Sequence, residues 1–407
     1  MLLLALAGAF LLAGCSGDKE DIPLPVITTE PPVEMPESPD VNRIEWDVVV
    51  SGDEAYAVWA QQQSVGAQLY DIFYAKGLIG EDLSALGVNI SNSATLDSRD
   101  PSIAVDSGGD VCVAWVEGPS PTRSIMVSTR DAISGVFSQP GPFADDAEDS
   151  VSPEAHYDSD DTLHLIWAEA GEILHRRRPE GGAASSVTTL PRGDGADPSN
   201  PTITSDDDGN VFAIWEQTSP NSRRHLYIAS SRNRGVSFLR GDHGWLPSSM
   251  LSPGLYKPKA ARTHQAQGFV LIYLLEFDDG DVDDRRVRIT SLTNFGATLN
   301  FTRDVYINKE GIVGTSADIA TIVDGSSTQV YVSYVADGQV HLRGSLNGGR
   351  NFGEDNALSV GYGRFNTALR TSIGASGDRV AVMWDMESED TFPIRSGWLT
   401  EADISNE

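Results

Sequence analysis

Apolar and polar residues alternate at seven places between Asn42 and Asp385, each time closing on an aromatic: AYAVWA at Trp59, VCVAWVE at Trp115, LHLIWAE at Trp167, VFAIWEQ at Trp215, FVLIYLLE at Tyr273, VYVSYVA at Tyr334 and VAVMWDM at Trp384. A period of two predicts strands. The aromatics stand about 48 to 61 residues apart, the spacing of β-propeller blades. Each repeat has the same internal order. A polar lead-in comes first, carrying Pro101, Pro153, Pro201 or Pro258 in four copies and read as the start of a strand, where proline costs no ladder donor. An Asp- and Gly-rich turn follows, such as Asp106 to Gly109 or Asp206 to Asn210, then the aromatic-ended strand. A third alternating strand is legible near Tyr70, Ser124, Glu172, His225, Arg286, Gln339 and Pro393. A fourth is not, and no amphipathic helix of useful length stands out.

The pattern predicts an all-β chain: a single β-propeller over residues 41–407, built from four-stranded antiparallel blades. Seven aromatic strands predict seven blades, with six as the alternative. A chain of 407 residues suits one such domain, since all-β units exceed the usual size prior.

Upstream the pattern changes. Residues 1–15, MLLLALAGAFLLAGC, form an apolar run too short to span a bilayer permanently, and they read as a signal-peptide core. Leu12-Ala13-Gly14-Cys15 resembles the bacterial lipobox, although the usual Lys/Arg n-region is missing. The resemblance implies cleavage before Cys15, lipid on its thiol and membrane attachment through that lipid. Ser16 after the cysteine implies transfer to the outer membrane of a bacterial cell envelope. Residues 16–40 hold six prolines and seven acids against one Lys. Such a segment predicts a disordered tether, able to reach roughly 75 Å at about 3.1 Å per residue.

The formal charge of −30 excludes nucleic acid as a partner, because no basic surface is available to displace counterions from phosphates. The only cysteine besides Cys15 is Cys112, mid-strand and read as a small buried hydrophobe.

Two segments after third strands, Ser231-Arg-Asn233-Arg-Gly235-Val-Ser237-Phe238 and Ser345-Leu-Asn347-Gly-Gly349-Arg-Asn351-Phe352, resemble the Asp-box, or bacterial neuraminidase (BNR) repeat. A side chain at the third position accepts turn amides, the glycine takes a positive φ, and the aromatic packs beneath a neighbouring sheet. The chain thereby resembles sialidase-like propellers over most of its length. In that family these turns lie away from the active face, so they imply architecture rather than chemistry. The family also implies a cluster of arginines on the substrate carboxylate. Arg43, Arg262 and Arg364 are the weak catalytic candidates, with Arg99 as a further channel position; the Tyr–Glu pair and acid/base Asp of sialidases match nothing here residue by residue.

An acid follows the aromatic in five repeats: Glu117, Glu169, Glu216, Glu276 and Asp385. Paired carboxylates serve glycoside hydrolysis, but a residue recurring with the blades predicts a scaffold role, such as holding turn amides. Asp206 to Asn210 and Asp278 to Asp284 make Ca2+ the one cofactor to consider, without the spaced ligand pattern that would specify it. His164 and His341 are read as wall or surface positions. The sequence reading is therefore a lipid-anchored envelope propeller that binds or scaffolds an unidentified protein or glycan without catalysis. A sialidase-class glycoside hydrolase is the alternative.

Overall fold

The computed structural model describes residues 26–29, 33–34, 41–64, 66–81, 83–143, 148–192, 196–218, 224–238, 243–245, 254–264, 268–276, 285–293, 300–301, 305–309, 312–359, 365–388 and 395–405. These residues form a β-propeller of seven antiparallel sheets, numbered I to VII in chain order. The inner strands are Arg43–Ser51, Ser98–Val105, Val151–Tyr157, Ala196–Ser205, Leu255–Arg262, Gly314–Asp324 and Phe365–Ser376. Each is followed by the strand bearing its repeat's aromatic, from Glu54–Gln62 in sheet I to Arg379–Ser388 in sheet VII. Fourth strands are short, as at Val88–Asn89 and Thr188–Thr189, which explains why no pattern revealed them. Consecutive sheets pack side by side, and sheet VII closes the ring against Arg43–Ser51 of sheet I. At that closure a Cβ on Gly374 would come within 2.7 Å of the Val50 amide nitrogen, so only glycine lets the two inner strands approach.

The recurring aromatics are wedges between blades. Trp115 packs with Tyr56, Val58 and Ile72 of sheet I, and Trp167 with Ala104 and Cys112 of sheet II. Trp384 packs with Tyr331 and Val340 of sheet VI, while Trp59 meets Ala381 and Met383 of sheet VII. All four indoles are essentially buried, and their flat area fills the diverging space between twisted sheets.

A buried indole N–H needs an acceptor, and the residue two positions on supplies it. Glu117, Glu169, Gln61 and Gln217 accept from Trp115, Trp167, Trp59 and Trp215 at 3.4, 3.0, 3.3 and 3.2 Å. The acids after the aromatic are therefore not one repeating set. Glu117 and Glu169 hold indoles rather than turn amides. Glu216 and Asp385 sit one position earlier and turn toward the inner strands, where Glu216 meets Asn200 and the Lys257 amide, each at 2.6 Å.

Two further expectations are corrected. The prolines do not begin strands: Pro101, Pro153, Pro201 and Pro258 sit inside them, at register shifts between Arg99 and Ser102, Val151 and Glu154, Ser199 and Thr202, and Tyr256 and Lys259. The residue before each proline has φ near +50° (Asp100, Ser152, Asn200, Lys257). This is a β-bulge, where the ladder is already interrupted and a missing N–H costs nothing. Nor is the segment 16–40 wholly an unstructured tether. Val26–Thr29 and Val33–Glu34 pair with Arg395–Ser405 as the outer edge of sheet VII, because ladder hydrogen bonds need no hydrophobic period in the added strand.

Candidate functional site at the channel mouth

The bulges recur at one end of the central channel and open a cavity of about 910 Å³, lined by residues from all seven inner strands. Just past each bulge one side chain stands at the same register, paired opposite the residue preceding the aromatic: Asp47, Ser102, Glu154, Thr202, Lys259, Asp318 and Ser372. Six of them do the same thing. Each accepts a hydrogen bond from the inner-strand amide of the next sheet. Asp47 takes the Ile103 amide (2.9 Å), Ser102 that of Ala155 (3.1 Å) and Glu154 that of Ile203 (3.1 Å). Thr202 takes Ala260 (3.3 Å), Asp318 takes Ile373 (3.0 Å) and Ser372 takes Val48 (3.2 Å). The result is a belt of side-chain latches from blade to blade.

Lys259 is the exception. An ammonium has only donors, so it cannot accept the amide of Ile319, which turns instead to Oδ1 of its neighbour Asp318 at 2.9 Å. Lys259 reaches back two sheets, and its Nζ lies 2.6 Å from Glu154 Oε2. Burial, which opposes its charge, is outweighed by Glu154, Asp318 and Asp47, so its pKa is raised.

For the carboxyls burial wins, and their pKa values rise as well. Burial pushes Asp318 up to about 6; Lys259 offsets part of this and Asp47 adds to it. Burial also raises Asp47. Ser372 Oγ lies 3.0 Å from Asp47 Oδ1 and 3.1 Å from Asp318 Oδ2. One hydroxyl proton cannot serve both, which favours a proton on one of the two acids. Asp100 is raised by burial and then by Glu45.

At two places on the rim the acid is sunk and its cation projects, whereas Arg99 and Arg123 are no more exposed than their acids Asp97 and Asp149. Lys259 has 43% of its side chain exposed against 14% for Glu154, and Arg370 has 54% against 15% for Glu45, 3.7 Å away. Arg99 lies 3.1 Å from Asp97 and stacks over Tyr70, and Arg123 is held by Asp149 at 2.6 Å.

Of the expected channel arginines that are among the described residues, only Arg99 lines the cavity. Arg43 bonds Gln61 at 2.9 Å, and Arg262 pairs with Asp207 at 3.1 Å toward the opposite end of its strand. Measured on the aromatic column, Arg43 pairs with Gln61, two positions past Trp59, and Arg262 with Phe269, four before Tyr273. These six ladder steps amount to roughly 20 Å of strand, so the two cannot grip one carboxylate. Arg364 and Cys15 lie outside the described residues.

Sequence reasoning missed Lys259, Arg370 and Arg123. A signal for Lys259 existed: aligned on the bulge prolines, the next residues are Ser102, Glu154, Thr202 and Lys259, and one of the four cannot accept.

The expected turns lie at the other end of the channel. Ser231 Oγ accepts the Gly235 amide at 3.0 Å, and Asn233 Oδ1 accepts that of Ser237 at 3.0 Å. Ser345 likewise takes Gly349 at 3.0 Å, and Asn347 takes Asn351 at 2.9 Å. Phe238 meets His175 of sheet III edge-on, and Phe352 enters the core shared by sheets V and VI.

At the same end sheet III gathers three histidines that the sequence left scattered. His164 Nδ1 is 3.1 Å from His175 Nε2, His164 Nε2 is 3.3 Å from Asp158, and His156 Nε2 is 2.8 Å from Ser205. His164 is fully buried rather than a wall or surface position. Burial, then His164, lowers His156 to about 3, and burial lowers His175 well below its ordinary value. Among the described residues no group of three or more His, Cys, Asp or Glu could hold a metal ion. In the acidic turn at Asp206, Oδ1 already accepts the amides of Asp208 (3.1 Å) and Asn210 (2.8 Å). The acids at 278–284 lie outside the described residues. Burial pushes the Cys112 thiol up to about 12.

No family model matches the sequence, and no curated protein does. Solved structures do match. A protein of unknown function from Dyadobacter fermentans superposes with a TM-score of 0.56 at 12% identity, over 92% of this chain and 99% of that one. The polysaccharide lyase Uly1 follows at 0.55 and 8%, over 90% of each chain. The Hadza microbial sialidase Hz136 gives 0.50 and 11%, over 90% of this chain and 66% of that one. The chain is a β-propeller of the kind found in sialidases and other glycan-active enzymes. At these identities the likeness is one of fold, and function rests on the site.

Proposed function

We propose that this chain is a non-catalytic binding propeller of the bacterial envelope, anchored through lipid on Cys15, and that its channel mouth takes an anionic glycan. The observation that carries this reading is the inversion of exposure at the mouth. Although the protein is strongly acidic, Lys259 and Arg370 project into the cavity while their partners Glu154 and Glu45 are withdrawn. A ligand entering meets cations backed by carboxylates that keep them charged and oriented. The non-catalytic part is supported by the belt: Asp47, Glu154 and Asp318 each spend an oxygen on the next sheet's amide, and moving them would loosen the ring. The glycan-active neighbours support a saccharide as the ligand class.

Calorimetric titration with sialyllactose, an oligouronate and a neutral glucan of equal length tests the reading. Binding is expected for an anionic saccharide, weakening with salt and lost in Lys259→Met and Arg370→Ala. Equal affinity for the neutral glucan, or binding indifferent to both substitutions, refutes it.

One observation favours the alternative of a sialidase-class hydrolase. Asp318, raised to about 6 beside Lys259, has the protonation behaviour of a general acid. Turnover of a fluorogenic sialoside, abolished in Asp318→Asn, would establish that alternative.

A further inference from the structure

The pairing of the N-terminal strands fixes where the chain meets the propeller. In sheet VII the third strand runs away from the mouth: Arg395 stands opposite Glu387 at the mouth end, and Arg379, beside the hairpin at Gly377, stands opposite Asp403. Val26 pairs with Ser405 and Glu34 with Trp398. The incoming chain therefore reaches the ring at its hairpin end and runs along the outer edge toward the mouth.

We infer that the hairpin face looks toward the membrane and the mouth looks away from it. The inference rests on the reading of Cys15 as the lipidated residue. Between Cys15 and Val26 lie ten residues, which in any conformation span at most about 35 Å. From Ser405 back to Arg395 the strand itself covers roughly 34 Å. Turning the mouth to the lipid would require those ten residues to run back, fully extended, along the whole edge of sheet VII. The hairpin face needs no such excursion.

The partner is the lipid surface itself, met without insertion. Three of the hairpin acids are paired with arginines, Asp53 with Arg379 (3.9 Å), Asp160 with Arg234 (2.9 Å) and Asp207 with Arg262 (3.1 Å). This face therefore meets the headgroups as hydrated ion pairs, which are costly to carry into hydrocarbon. The orientation leaves the cavity open to ligands arriving from the side remote from the anchoring leaflet.

Depth-dependent quenching of the full-length lipidated protein in vesicles carrying headgroup nitroxides tests the orientation. A fluorophore is placed on Ser159→Cys, in the hairpin of sheet III, or on Ser120→Cys, at the mouth edge of sheet II. Both native residues are exposed, and buried Cys112 does not compete for label. Ser107→Cys serves as a second hairpin position. Quenching several-fold stronger at the hairpin labels than at Ser120→Cys is the expected result. Equal quenching, or stronger quenching at the mouth, overturns the orientation. The Cys15→Ala protein should leave the vesicles; if it binds them as the parent does, the anchor reading has failed and the inference with it.

Discussion

Lys259 Nζ lies 2.6 Å from Glu154 Oε2, joining inner strands two sheets apart across a channel where the other residues at that register act as latches. The pair passes over Thr202, whose hydroxyl donates to Glu154 Oε1 at 2.6 Å while accepting the Ala260 amide. Three sheets are thus tied through one carboxylate.

Lys259→Met leaves Glu154, Asp47 and Asp318 without their shared cation. A fully buried broken pair costs several kcal/mol, but this ammonium is partly in water, so a loss of about 1–2 kcal/mol is expected in urea unfolding. Lys259→Thr should be the better-tolerated change, since a hydroxyl there can accept the Ile319 amide and complete the belt. If the two variants are equally unstable, the latch account of this position is wrong.

Ser102→Ala tests an intact latch. It removes the acceptor of the Ala155 amide, and an unsatisfied buried donor costs about 1–3 kcal/mol. Hydrogen exchange should quicken at Ala155 and nearby in sheet III while leaving sheet VI unaffected. Faster exchange spread over the whole ring would count against a local role.

Asp318 predicts a stability change with a definite sign. Its native pKa, about 6, stands above the ordinary value of 3.8, so the folded protein binds its proton more tightly than the unfolded chain does. The contribution is present below pH 4 and lost as pH rises toward 6. Asp318→Asn keeps an acceptor for Ile373 and cannot ionise. Melting temperatures of the two proteins should converge near pH 4 and diverge above pH 6, with the asparagine variant the more stable there.

The buried histidines predict the opposite slope. His156 is lowered from 6.5 to about 3, and His175 shifts in the same direction. The unfolded chain therefore takes up protons first, and stability present above pH 6.5 is lost as pH falls toward 3. His156→Gln, able to reach Ser205 without titrating, should lose less stability between pH 6.5 and 4 than the parent. Parallel melting curves across that window would remove His156 from the account.

Much of this molecule is written along the chain. Alternation and the returning aromatics define the strands, because a wedge between twisted sheets must be large, flat and apolar at each seam. The turns at Asn233 and Asn347 are legible for a similar reason: their hydrogen bonds join residues two to four apart. Glu117 and Glu169 stand two positions past their aromatic and Glu216 only one, so alternation puts them on opposite faces. Only the tertiary structure shows that one face meets an indole N–H and the other the inner strands.

The sequence by itself determined the strand order, the blade-like repeat and the wedges, since each depends on spacing within one repeat. Tertiary structure alone decided the rest. The bulges moved four prolines inside strands and brought one residue from each inner strand to a common rim. Closure of the ring placed Lys259 against Glu154, 105 residues apart, and put the N-terminal strands on the last sheet. These relationships arise between repeats, where proximity is set by the curvature of the ring and not by distance along the chain.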